Sequence, residues 1–132
     1  PHDFIVREEG IRVRFVKLTI LQIPYDVTPC ISGLRIFGIG DGEKPRVPAY
    51  SIHRSDDRLD LLVDIENTQD AFGYNILWGH EQDKLYHSYQ VYKSNGALTQ
   101  KRIGALVKAQ EYFVRVDAFN ENGITHGKLI KL

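Results

Sequence analysis

Acidic side chains are plentiful in the second half of the chain, at Asp56, Asp57, Asp60, Asp64, Glu66, Asp70, Glu81, Asp83, Glu111 and Asp117. Hydrolysis of a glycosidic bond needs two carboxyl groups about 5–10 Å apart on either side of the scissile bond. No spacing here singles out such a pair. Asp56-Asp57 lie between Arg54 and Arg58 in the manner of a solvated turn, and Asp117 alternates onto the outward side of its strand. No catalytic residue is assigned. Tyr86, Tyr89 and Tyr92 lie within seven positions, downstream of Trp78. Sugar rings stack their apolar C–H faces on exposed aromatic planes, so these four residues are the candidate carbohydrate-binding platform. The competing expectation is that alternation turns some of them into the core and leaves the rest as isolated surface tyrosines.

Other chemistry is less well supplied. His80 and His87, with Glu81 and Asp83, lack the cysteines or tightly spaced histidines of a structural zinc site and read as loop histidines. No metal and no cofactor is expected. Cys30 stands alone, which rules out an intrachain disulfide, and is expected as a buried thiol on a strand. Gly38, Gly40 and Gly42 have the look of a phosphate loop, but such a loop opens a helix. Here Pro45 and Pro48 follow, so the run reads as a turn or linker.

The elements that must position these residues are strands. Period-2 alternation runs through the chain, and no window carries a helical stripe. Ile11, Val13 and Phe15 alternate with Arg12 and Arg14, and then Val16, Leu18 and Ile20 take over the apolar phase. A strand changes face only by an extra residue, so a bulge or change of sheet is expected near Phe15-Val16. A further strand is expected over 31–37, with Leu34 and Arg35 on opposite faces. After the glycine run come a short edge strand at 51–54, Leu59-Leu61-Val63-Ile65, Tyr74-Ile76-Trp78, Tyr89-Val91-Tyr92, Tyr112-Val114-Val116-Ala118 and a last strand at 128–131. Asn95-Gly96 and Asn122-Gly123 are hairpin-turn dipeptides. Strands so spaced indicate an all-β antiparallel sandwich, and residues 45–132 approach the roughly 100 residues of one immunoglobulin-like unit. In that layout Trp78 is the expected core tryptophan sealed between the sheets, with Val114 and Val116. Tyr112 is the expected tyrosine corner, its hydroxyl bonding back to the backbone a few residues upstream. Phe113 and Phe119 fall on the opposite side of their strand and suggest a second apolar face.

Charge and composition narrow the partners. The chain has 132 residues, with 17 Lys+Arg against 17 Asp+Glu, so no basic excess favours nucleic acid or an anionic membrane surface. No apolar run approaches the roughly 20 residues of a membrane helix. The absence of methionine and the abrupt start at Pro1-His2-Asp3 read as a piece of a longer chain.

Trp78, Tyr89-Gln90-Val91-Tyr92 and the run from Tyr112-Phe113-Val114-Arg115-Val116 to Asn120-Glu121-Asn122-Gly123 resemble the fibronectin type III signature. The early strand departs from it, offering Leu61 or Val63 where those modules carry a tryptophan. Gly73-Tyr74-Asn75-Ile76-Leu77-Trp78-Gly79, Asp83-Lys84-Leu85-Tyr86 and the segment from Ile31-Ser32-Gly33 to Phe37-Gly38 are similar to the C-terminal accessory region of bacterial, Bacteroides-type family-43 glycoside hydrolases, the xylosidases and arabinofuranosidases. The resemblance implies residues 1–38 as a strand extension left from a preceding discoidin-like sandwich, 39–45 as linker and 46–132 as a fibronectin type III-like domain. It implies a non-catalytic spacer or docking module in a periplasmic, cell-surface or secreted glycosidase. The partner would be the catalytic domain of the same chain, with polysaccharide as a further ligand. The alternatives are a carbohydrate-binding module using Trp78, Tyr86, Tyr89 and Tyr92, and an adhesion or protein-interaction module using the phenylalanine face.

Overall fold

The computed structural model describes residues 11–132 other than Pro24, Asp26, Ser32, Leu34, Arg35 and Ala105. The chain divides into two compact units, Pro1–Gly38 and Ile39–Leu132. All eight strands among the described residues belong to the second: β1 Tyr50–Arg54, β2 Leu61–Glu66, β3 Gly73–Gly79, β4 His87–Tyr92, β5 Leu98–Ile103, β6 Phe113–Asn120, β7 Gly123–Thr125 and β8 Ile130–Lys131. No α-helix occurs among the described residues.

The strands form two antiparallel sheets. One runs β1-β2-β5, the other β4-β3-β6-β7 with β8 on β6. β2 to β3, β4 to β5 and β5 to β6 each carry the chain from one sheet to the other, which makes an open β-sandwich and not a closed barrel. The alternation in the sequence explains the core directly. On β2, Leu61, Val63 and Ile65 face inward with at most 1% of their surface exposed. They meet Tyr74 and Ile76 of β3 and Val114, Val116 and Ala118 of β6 in one cluster, closed by Ile52, Ile103, Leu106 and Tyr112. The register Tyr74↔Ala118 and Ile76↔Val116 sets these side chains opposite one another on a single face.

Two tyrosines finish the core. Tyr74 is fully buried, and its hydroxyl donates to the Glu66 carbonyl at 3.2 Å. Burial pushes its pKa above the usual phenol value. Tyr112 immediately precedes β6, and its hydroxyl accepts the Val107 N–H at 3.1 Å, five residues upstream. The Arg54 guanidinium lies over the Tyr112 ring at 5.3 Å and donates to the carbonyls of Val107, Lys108 and Gln110. One cation thereby holds the 107–110 loop and caps the end of the core.

Several expectations are corrected. Trp78 is not sealed between the sheets: it is half-buried and packs against the core from its rim, and Tyr74 holds the central place instead. Trp78 has inward parity, but it lies one residue from the end of β3, and its ring stacks on His87 of β4 at the end of the sheet. Among the described residues of 11–38 there is no strand, so the expected strand extension and its bulge near Phe15-Val16 are not found. Alternation defines a face, but a strand also needs a partner for its backbone groups, and none is paired there. Leu34 and Arg35 lie outside the described residues. Cys30 is exposed and not in a strand. A hairpin does form at Asn122-Gly123, with Glu121 and Asn122 as its turn and Gly123 opening β7, whereas Asn95-Gly96 carries the chain between sheets. β5 is a strand that alternation did not reveal.

Candidate functional site

The platform residues are distributed by the pleat of β3 and β4. Their register pairs Gly73 with Tyr92, Ile76 with Tyr89 and Trp78 with His87. Directly paired residues share a face, so Trp78, His87 and Tyr89 belong to the side turned toward the other sheet, and Tyr92 to the outer side. Tyr86 is highly exposed and precedes β4. The four rings therefore do not form one plane.

Each of three rings already has a neighbour. Trp78 stacks on the His87 imidazole with centroids 5.4 Å apart and planes 24° from parallel. The Lys101 ammonium, from β5 of the other sheet, sits 4.3 Å from the centre of the Tyr89 ring. Such a cation–π contact contributes about 0.5–1 kcal/mol at an exposed site and here spans the open edge of the sandwich. Tyr92 meets Phe119 edge-to-face at 6.0 Å. Gly73 lies between those two in the sheet, and a Cβ there would come within 2.7 Å of the Phe119 ring and 2.5 Å of the Val91 carbonyl. The outer aromatic pair thus packs over a glycine that no other residue could replace without displacing it. Phe113, at the other end of the same outer face, lies 5.8 Å from the Lys131 ammonium.

Most of the candidate carboxylates are spent on structure. Asp57 accepts the Ser55 hydroxyl at 2.5 Å and the Leu59 N–H at 3.1 Å, which closes the β1–β2 turn and lowers its pKa. Asp60 pairs with Arg102, Glu81 with Lys84 and Glu111 with Lys131. Asp64 accepts from Gln100 at 2.7 Å. Asp70 receives the Arg46 backbone N–H at 3.0 Å and its Nε at 3.1 Å. Its pKa falls to about 2, mainly through the Thr68 side chain and then through Arg46.

The histidines and glycines are likewise placed by neighbours. His80 leans on the Tyr112 ring at 4.7 Å. Among the described residues no group of three His, Cys, Asp or Glu side chains is arranged to hold a metal. The glycine run lies against the β6–β7 turn. Gly40 N–H donates to the Glu121 carbonyl at 2.6 Å and Gly42 N–H to Asn122 Oδ1 at 3.1 Å, while Asn120 and Asn122 both donate to the Glu43 carbonyl at 3.0 Å. The stretch read as a turn or linker is fastened to the sandwich at Gly40, Gly42 and Glu43.

One cluster went unrecognised in the sequence. Asp117 does point outward from β6, yet its side chain is only 4% exposed. Arg115, two residues earlier on the same face, grips both oxygens through Nε and a terminal nitrogen at 2.8 and 2.9 Å. His126 Nδ1 at 2.8 Å and the Gly127 N–H at 3.2 Å complete the ring of donors. A carboxylate buried in this way holds the connection between β7 and β8 onto the sheet. The i, i+2 spacing of Arg115 and Asp117 was the only sequence signal for it.

The sequence matches no family model and no curated protein.

Proposed function

We propose that this sandwich is a non-catalytic accessory module, spacing or docking a neighbouring catalytic domain in a longer, exported glycan-degrading chain. The observation that supports the reading is the use made of the acidic side chains. Asp57, Asp60, Asp64, Asp70 and Asp117 each receive donors that fix a turn, a strand pair or a loop, and such groups are poorly suited to trading protons with a sugar. The context of a family-43-like parent rests on the resemblance of the segments from Ile31 to Gly38, from Gly73 to Gly79 and from Asp83 to Tyr86. The immunoglobulin-like, fibronectin type III-like assignment rests on Trp78, the run from Tyr89 to Tyr92 and the run from Tyr112 to Gly123, and agrees with a three-stranded sheet facing a larger one.

A second reading has its own observation. Tyr86, Tyr89 and Tyr92 are all exposed along or beside β4, which among the described residues is an edge strand paired only with β3. That is the arrangement of a carbohydrate-binding module whose contacts are separate rings along one edge and not a flat platform. Calorimetric titration with xylan and arabinoxylan oligosaccharides, run beside a chromogenic glycoside assay, tests both readings. The spacer role predicts neither saturable heat nor turnover. Saturable binding lost in Tyr89→Ala or Tyr92→Ala would replace it with the second reading, and turnover would overturn both.

A further inference from the structure

The sandwich contains two Asn-Gly dipeptides, and their surroundings differ. At Asn122 the side-chain amide donates to the Glu43 carbonyl at 3.0 Å, Oδ1 accepts the Gly42 N–H at 3.1 Å, and the backbone N–H is held by Asn120 Oδ1 at 2.8 Å. Gly123 is fixed at φ +137 with the Lys44 stem against it. At Asn95 the residue is exposed, and its side chain makes no hydrogen bond among the described residues. A Cβ on Gly96 would meet only Leu98 O and Ser94 Oγ, both at 3.9 Å. The Gly96 nitrogen is likewise unengaged among the described residues. Its carbonyl alone is held, by Asn67 Nδ2 at 2.8 Å.

We propose that Asn95 is a site of intramolecular deamidation and that Asn122 is protected by the fold. The Gly96 nitrogen, after losing its proton to hydroxide, attacks Asn95 Cγ. A new N–Cγ bond closes a succinimide while the Cγ–Nδ2 bond breaks, and the nitrogen leaves as ammonia with a proton from solvent. Water then opens the imide at either carbonyl to give aspartate or isoaspartate. Water is the only co-reactant, and nothing is oxidised or reduced. Glycine favours the attack because no Cβ obstructs its nitrogen. The same step at Asn122 has first to break the bonds to Glu43 and Gly42. The product changes the molecule measurably, because a formal net charge of zero becomes one negative charge. An isoaspartyl link also adds a backbone atom beside the carbonyl that Asn67 holds, within the clamp formed by Asn67, Ser94 and Thr99.

The test incubates the whole chain at mildly alkaline pH and follows acidic variants by ion exchange, with peptide mapping to locate them. In the folded protein Asn95 should convert at least about tenfold faster than Asn122. In urea the two rates should converge. Gly96→Ala should slow conversion at Asn95 and leave Asn122 unchanged, and its open surroundings keep the variant folded. Equal rates in the folded chain, faster conversion at Asn122, or an Asn95 rate unmoved by Gly96→Ala would each overturn the proposal.

Discussion

Residues 11–20 and residues 61–66 carry the same kind of pattern, aliphatic or aromatic side chains alternating with polar ones, and they end in opposite situations. Val63 and Ile65 have lost all but 1% of their surface or less, whereas Val13 is 61% and Phe15 87% exposed. The difference lies in neighbours and not in local preference. β2 has β1 on one side and β5 on the other, so every ladder position is engaged, and β3 and β6 cover its apolar face. Among the described residues of 11–38 no strand is paired, and most apolar side chains stay exposed. Alternation alone states which residues would be buried; strand pairing decides whether they are.

Substitution should show the contrast most strongly at the aromatic rings. Tyr74→Ala removes a fully buried ring and its bond to Glu66, and should cost about 3–5 kcal/mol in urea unfolding. Trp78→Ala, at the half-buried rim, should cost about 2 kcal/mol. Phe15→Ala should stay within about 0.5 kcal/mol. A loss at Phe15 comparable to that at Trp78 would mean that the first unit buries its apolar residues after all, and the comparison would fail.

The same contrast marks how far the sequence could be read. β2, β3 and β6 were legible because their inward positions are uniformly apolar. Tyr112 was legible because a tyrosine opening a late strand has a backbone partner within reach, and Val107 supplies it. β5 was not, since its inward positions are Thr99, Lys101 and Ile103, and the lysine in the middle breaks the apolar phase. Its reason appears only in three dimensions, where the ammonium reaches the Tyr89 ring from the opposite sheet. Asn95-Gly96 announced a reversal but could not say which sheet receives the chain. The candidate platform shared that fate: sequence brings Tyr86, Tyr89 and Tyr92 close together, and the pleat then separates them. Asp117 was placed on the correct face, yet its burial depends on His126 and Gly127, which the sequence does not connect to it.

Glycines sharpen the comparison at smaller magnitudes. A Cβ on Gly79 would collide with the Lys84 carbonyl and approach Leu85 Cα to 3.0 Å, both backbone atoms that cannot step aside. Gly79→Ala should therefore cost about 1–3 kcal/mol. Gly38→Ala meets nothing within 4 Å and should be neutral to within about 0.5 kcal/mol. Arg58 gives the converse case, a non-glycine residue held at φ 62 in the β1–β2 turn. Arg58→Gly relieves that strain, at some cost in chain entropy and a long 3.4 Å bond to Lys108, so a gain of about 0.5 kcal/mol in thermal unfolding is expected.

The smallest effect is a pH dependence confined to the sandwich. Asp70, ahead of β3, ties down Arg46, ahead of β1, and its pKa is lowered to about 2 from an ordinary value of 3.8. A carboxyl group that is more acidic in the folded state than in the unfolded one stabilises the fold at pH values above 3.8. That contribution declines as pH falls below 3.8 and is gone once pH has passed through about 2. Asp70→Asn keeps the shape of the side chain and removes the titration. Its unfolding free energy, compared with that of the parent chain between pH 5 and pH 2, should show the deficit of the variant shrinking as pH falls. A deficit that stayed constant across that window would mean that the charge on Asp70 takes no part in its bonds with Thr68 and Arg46, and that neutral hydrogen bonding alone fastens the entry to β1.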